Sequence, residues 1–372
     1  MTFSELGLTD ALLATISKMA YEKPYPIQEA VIPAVLVGKD VLGIAQTGSG
    51  KTAGFALPIL QQFQHKPVAR NRYIKALILV PTRELAVQVG QVFKHFEEYL
   101  PRQVKILTVH GGVSINPQMI KLQGVEILIA TPGRLLDLYD KKAMELSALD
   151  ILVLDEADKM LNMGFREEMR RIFNLLPSKR QNLLFSATLG KDIDTISEIL
   201  LHDPVRIEIS QEIVNPELIR QTGYYVSDEK KGPLLRSLIK ENQLRQVLVF
   251  ISSIHKADSV VHKLKINGVK ALALHGEKSQ GARTDALRYF KTGEIDVLVA
   301  TDLASRGLDI PALPTVINYE LPRSPKDYIH RIGRTGRAGM TGHAISFISP
   351  EEEHHFKVIQ KKMGIWVEME SF

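Results

Sequence analysis

The chain has 372 residues, 45% of them hydrophobic and 24% charged, the balance of a globular protein too long for one ordinary core. A net charge of +5 suits a polyanionic partner without requiring one. The absence of cysteine excludes a disulfide framework, thiol catalysis and zinc–thiolate sites. No apolar run approaches membrane-spanning length, and Met1-Thr2-Phe3-Ser4-Glu5 lacks the basic and apolar regions of a secretory signal, so a cytoplasmic protein is expected.

Short β-branched runs alternate with longer amphipathic stretches, which predicts an α/β fold of parallel strands and crossover helices. In the first half, strands are predicted over 41–45, 76–80, 106–109, 127–130, 151–154 and 182–185. In the second half they are predicted over 247–251, 271–274, 297–300, 315–318 and 342–348. The polar stretch 210–217, with Asn215-Pro216, predicts a linker between a domain over 1–209 and another over 218–372. The halves echo one another. Leu107-Thr108-Val109-His110-Gly111-Gly112 resembles Leu272-Ala273-Leu274-His275-Gly276-Glu277, and Glu126-Ile127-Leu128-Ile129-Ala130-Thr131 resembles Asp296-Val297-Leu298-Val299-Ala300-Thr301. Two copies of one design account for this, although apolar strands have few residue choices and can look alike by chance.

The first predicted strand runs into Ala45-Gln46-Thr47-Gly48-Ser49-Gly50-Lys51-Thr52. Gly48 and Gly50 permit a tight turn whose amide groups converge on phosphate oxygens, and a helix from about Lys51 adds its positive dipole end. Lys51 would reach the β and γ phosphates, and the Thr52 hydroxyl would ligate magnesium. The strict pattern asks for Gly where this chain has Ala45. Asp155-Glu156-Ala157-Asp158, closing the run 151–154, supplies the complement: Asp155 for magnesium through water, Glu156 to orient or deprotonate the attacking water.

With these motifs stand Pro81-Thr82-Arg83-Glu84-Leu85-Ala86, Thr131-Pro132-Gly133-Arg134, Ser186-Ala187-Thr188, Gln280 with Arg283, Ala300-Thr301-Asp302 with Arg306-Gly307-Leu308-Asp309, and His330-Arg331-Ile332-Gly333-Arg334-Thr335-Gly336-Arg337. In this order they resemble the DEAD-box RNA helicases, and the chain's brevity resembles the bacterial RhlE-like group. The resemblance runs from Phe3 to about Gly364. It implies two tandem RecA-like domains, ATP with magnesium as fuel, and RNA held by both domains.

The resemblance assigns further roles. Tyr21, Lys23 and Gln28 would read adenine, with Gln28 hydrogen-bonding the base edge and Tyr21 stacking on it, unless Tyr21 is simply a core aromatic. Ala20 stands where the family has Gly. Tyr25 stands where it has a small hydroxyl residue that braces the phosphate loop. Thr47 and Ser49 join the ATP site, and Gly307 and Asp309 complete it from the second domain. Arg334 and Arg337 would act as arginine fingers on the γ-phosphate, and Arg331 would help tie the domains together. Such fingers are worth roughly 10³ to 10⁵ in rate in other phosphoryl-transfer enzymes, so closure would gate chemistry. Ser186 and Thr188 would couple hydrolysis to strand separation, with Asp158 and His330 as partners.

RNA contacts are expected from Thr82, Arg83, Gly112, Thr131, Arg134, Arg283 and Thr301, whose amides, hydroxyls and guanidiniums suit a phosphate track that reads no bases. The expected function is ATP-driven local separation of short RNA duplexes. Its rivals are an ATP-gated RNA clamp and a DNA-translocating helicase. The end, 367–372, carries no basic extension, which leaves room for a longer parent chain with a targeting tail.

Overall fold

The computed structural model describes the chain apart from residues 20, 47, 67–70, 210–217, 303–312, 337–340 and 372. The chain divides into two compact units, Met1–Gln211 and Glu212–Phe372. The expected linker and four candidate site residues, Thr47, Gly307, Asp309 and Arg337, lie outside the described residues.

In the first unit β1 (Val41–Ile44), β2 (Ala76–Leu79), β3 (Ile106–Val109), β4 (Ile127–Ala130), β5 (Ile151–Leu154), β6 (Gln181–Ser186) and β7 (Val205–Glu208) form one parallel sheet. Their order is β3-β4-β2-β5-β6-β1-β7. The second unit has β8 (Ile219–Tyr225), β9 (Val247–Phe250), β10 (Ala271–Leu274), β11 (Val297–Ala300), β12 (Thr315–Asn318), β13 (Gly342–Ile348) and β14 (Glu368–Ser371), again all parallel. Their order, β10-β11-β9-β12-β13-β8-β14, repeats that of the first sheet strand for strand. The echoing segments in the sequence fall on β3 with β10 and on β4 with β11, matching positions at one edge of each sheet.

Pleating explains the unbroken apolar runs. Val41, Ile78, Ile129 and Val153 enter one core, while their neighbours Leu42, Leu77, Leu128 and Leu154 enter the other. Helices cover both faces: Lys51–Gln64 and Arg83–Glu97 supply Phe55 and Val89 to the first core, and Pro132–Asp140 supplies Leu135 to the second. Because every strand runs the same way, the loops that follow them gather at one rim of each sheet.

Three strands were not expected. β7 and β14 are polar edge strands, with Arg206 and Glu208 of β7 paired at 2.7 Å. β8 lies inside its sheet, yet its Arg220, Gln221 and Gly223 weaken any strand signal. Met369 of β14 packs over Gly223, where a Cβ would stand 2.5 Å from its Sδ and the Met side chain would have to shift.

Candidate active site

The phosphate loop leaves β1 beside β6, with the Ala45 amide donating to Ser186 O at 3.0 Å. Gly48 and Gly50 hold φ of +89° and +85°, a region that L side chains avoid. Helix Lys51–Gln64 starts directly after Gly50, so its first amides and positive dipole end face the loop. A Cβ on Gly50 would stand 2.5 Å from Gln28 Nε2 and 2.8 Å from Tyr25 Cδ2. Glycine is therefore demanded twice at this position, by φ and by space.

Gln28 is fully buried in helix Pro26–Leu36. Its Nε2 donates to Gly50 O at 3.0 Å, and its Oε1 accepts from Tyr25 N at 3.0 Å. The amide keeps one N–H and one lone pair beyond these bonds. Tyr25 is exposed, with its ring against Gly50, and Lys23 is exposed nearby. The half-buried Tyr21 ring packs on Phe3 and Phe96, with centroids 6.5 and 5.7 Å away, at the margin of the core.

Asp155 and Glu156 follow β5, each only 2% exposed. Glu156 adopts φ +54°, a left-handed conformation that costs a non-glycine residue roughly 1–3 kcal/mol and is concentrated at functional sites. Its Oε1 accepts from Lys159 Nζ at 2.7 Å. Lys51, also buried, donates to the carbonyls of Ala45 and Gln46. Burial pushes the Lys51 ammonium below its usual range, and the charges of Asp155 and Glu156 oppose that shift. Burial likewise raises Asp155 to about 6, with Lys51 pulling the other way. Asp155 Oδ1 is buried and has no hydrogen-bond partner among the described residues. That orphaned oxygen, with the Thr52 hydroxyl one residue inside the helix, is a donor set suited to a hard cation that keeps part of its water shell.

The turn after β6 is tied to the acids. Ser186 Oγ donates to Thr188 O at 2.7 Å, Thr188 N donates to Ser186 Oγ at 3.2 Å, and Thr188 Oγ1 donates to Asp158 Oδ2 at 3.2 Å. His330 belongs to the second unit, on the exposed last turn of helix Pro325–Ile332.

Further along the rim stand the groups expected on RNA. Thr82, after β2, caps helix Arg83–Glu97 by accepting from Leu85 N at 3.2 Å. The Arg83 guanidinium fills the space a side chain on Gly112 would need, and Gly112 has φ +76°. Thr131 follows β4 and begins helix Pro132–Asp140, from which the buried Arg134 donates through Nη2 to Val113 O at 2.9 Å. Thr82 and Arg134 thus have local structural bonds that the sequence did not disclose. In the second unit Thr301 follows β11, and Arg283 sits early in helix Gln280–Lys291; both are buried at the matching edge of that sheet.

Arg331, expected to help tie the halves together, is bonded within its own unit. It donates to both oxygens of Asp302 at 2.6 Å, to Asn318 Oδ1 at 3.1 Å and to Glu320 O at 2.6 Å, and lies 5.0 Å from the Phe250 ring centroid. Four of its five N–H groups are therefore engaged inside its own unit. Arg334, one turn on and 9% exposed, donates its backbone N–H to Arg331 O.

Among the described residues of the second unit, the segment after β8 does not repeat the phosphate loop. Where β1 is followed by glycines, β8 is followed by Val226-Ser227-Asp228-Glu229. The buried Lys231 pairs there with Asp228 and Glu352, each at 2.9 Å, and Lys256 pairs with Glu320 at 2.6 Å. Ion pairs thus occupy the segment that follows β8. Two residues beside the site carried no signal in the sequence: Lys159, paired with Glu156, and Gln118, which bonds the loop containing Gly112.

Comparison with known proteins agrees with this arrangement. A family model described as DEAD/DEAH box helicase matches residues 25–196, and one described as helicase conserved C-terminal domain matches residues 230–339. The chain is 41% identical over 360 residues to the ATP-dependent RNA helicase CshA of Listeria monocytogenes, covering 96% of this chain and 68% of that protein. It is 43% identical over 361 residues to the DEAD-box ATP-dependent RNA helicase CshA of Streptococcus pneumoniae, covering 97% and 68%. Among solved structures it is similar to S. cerevisiae Dbp5 bound to RNA and ADP BeF3, with a TM-score of 0.83 and 31% identity over 100% of this chain and 95% of that one.

Proposed function

The chain belongs to the DEAD-box family of ATP-dependent RNA helicases, and on that premise we propose how its own residues bind ATP, hydrolyse it and hold RNA. One observation carries the reading: Lys51, Asp155 and Glu156, from separate stretches of the sequence, are buried and electrostatically coupled at one rim of the sheet. Buried charges are costly unless paired, and opposite charges held together in this way with shifted pKa values are concentrated at functional sites.

ATP would lie with its phosphates on the Gly48–Gly50 amides and the start of helix Lys51–Gln64, and its adenine against the remaining valences of Gln28. Lys51 would exchange its carbonyl partners for phosphate oxygens. Thr52 and Asp155 would hold magnesium, which when bound would offset charge building on the phosphates. Glu156 would orient a water and take its proton as the oxygen attacks the γ-phosphorus and the bond to the β-phosphate breaks, giving ADP and phosphate. Arg334 would stabilise the transition state on closure of the two units.

RNA would run along the ends of β2, β3 and β4 in the first unit and of β10 and β11 in the second, through backbone and phosphate contacts. Its affinity should therefore fall with salt and depend little on sequence. The turn linking Ser186, Thr188 and Asp158 would relay the state of the nucleotide to that track. No helix among the described residues is long and apolar enough to cross a membrane, and the cytoplasm is the compartment we assign. The test is ATPase activity with and without single-stranded RNA, beside displacement of a labelled strand from a short duplex. RNA-stimulated hydrolysis with displacement is expected. RNA binding and hydrolysis without displacement would favour a clamp, and equal stimulation by DNA would refute the RNA preference.

A further inference from the structure

The loop between β3 and helix Asn116–Lys121 has an unusual hydrogen-bond balance. Gln118, 9% exposed, points back into it. Its Oε1 accepts from His110 N at 3.2 Å, and its Nε2 donates to His110 O at 3.3 Å and to Ser114 O at 3.1 Å. Arg134 takes the carbonyl between, donating to Val113 O at 2.9 Å, and the His110 ring nitrogen Nδ1 lies 3.0 Å from Gly111 O. One side chain thus clasps both ends of the loop, and others meet carbonyls between them.

The loop's donors are treated differently. The backbone N–H groups of Gly111, Gly112, Val113 and Ser114 make no hydrogen bond among the described residues, and Gly112, Val113 and Ser114 are exposed. Arg134 Nη1 is buried and likewise without a partner among them. With the carbonyls of His110, Val113 and Ser114 bonded and its amides open, the loop presents a surface of donors with positive charge behind it. Such a surface favours an anion such as a backbone phosphate.

We propose that Gln118 is a positioning residue for RNA, acting by holding this loop in its donor-presenting shape and not by touching the nucleic acid. The proposal rests on the assignment of the loop to the RNA track. It predicts that Gln118 governs RNA affinity and leaves the nucleotide site, which lies at β1, β5 and β6, alone.

Gln118→Met keeps length and bulk and removes all three bonds; Gln118→Glu keeps the acceptor for His110 N but sets a carboxylate against two carbonyls. Each is compared with the wild type for the RNA concentration giving half-maximal ATPase, for the maximal rate, and for affinity for a fluorescent ADP analogue. Gln118→Met should raise the half-activating RNA concentration about tenfold, about 1.4 kcal/mol. Gln118→Glu should raise it further, with ADP affinity retained in both as proof of folding. Curves superimposable on the wild type's, or losses of RNA and ADP affinity in equal measure, would overturn the proposal alone. A wild-type rate that RNA does not raise would overturn the assigned function and the proposal with it.

Discussion

Gln28 Nε2 donates to the carbonyl oxygen of Gly50 across 3.0 Å, so the side chain assigned to adenine is also bonded to the phosphate loop. Base and phosphate recognition therefore share one amide. Gln28→Leu should weaken ATP and ADP binding by about tenfold or more, since it removes the hydrogen bonds to Gly50 O and from Tyr25 N together with the amide assigned to the base. Equilibrium titration with a fluorescent ADP analogue measures this, and unaltered affinity would refute the shared role.

Tyr25 fills the space over Gly50 with its ring and stands where the family has a small hydroxyl residue. Bracing by packing, not by the hydroxyl, predicts that Tyr25→Phe behaves as wild type. Tyr25→Ala should weaken ATP and GTP alike, by roughly threefold to tenfold, as expected when a partly exposed ring's contact with the phosphate loop is lost. A loss confined to ATP would make Tyr25 a base reader instead.

Glu156 is held in a left-handed conformation beside Asp155, with Lys159 on one carboxylate oxygen. Glu156→Gln should bind ATP and RNA near normally and lose roughly 10²- to 10⁴-fold in turnover, the range for removing a general base. Single-turnover hydrolysis at saturating RNA reads the step directly. A rate within a few-fold of wild type would remove Glu156 from the chemistry.

Thr188 Oγ1 reaches Asp158 Oδ2 at 3.2 Å in the turn that follows β6. Thr188→Val keeps the shape and deletes the bond. RNA-stimulated hydrolysis should persist while strand displacement per ATP consumed falls. Parallel loss of both would indicate damage to the ATP site and not to coupling.

Arg331 and Arg334 stand one turn apart and should fail in different ways. Arg331→Met leaves Asp302, Asn318 and the Glu320 carbonyl without their buried donor. Removing one partner of such a pair costs about 3–5 kcal/mol, so thermal unfolding should show a destabilised second unit. Arg334→Ala should lose roughly 10³-fold in RNA-stimulated hydrolysis, a loss of rate far beyond any change in its unfolding. Reversed phenotypes would exchange the two assignments.

Much of the fold was legible because its signals are local. Strands covered by helices on both faces must be apolar throughout, so β1, β2, β4, β5, β9 and β11 announce themselves. β7, β8 and β14 did not, since two are polar edges and the interior β8 carries Arg220, Gln221 and Gly223. The phosphate loop and the acids after β5 were equally plain, because backbone φ and cation chemistry restrict the residue types that can stand there.

From residue order alone one could tell that the chain holds two α/β units, which segments follow strands and where phosphate-binding chemistry is concentrated. Only the tertiary structure decided how donors and acceptors are shared out. It buried Arg331 on Asp302, set Glu156 at a positive φ, bonded loop carbonyls to Gln118 and paired the buried Lys231 with Asp228 and Glu352. The reason is that propensity and hydrophobic pattern act over a few neighbours, whereas a hydrogen-bond partner is chosen among groups brought together by folding, at separations no local pattern encodes.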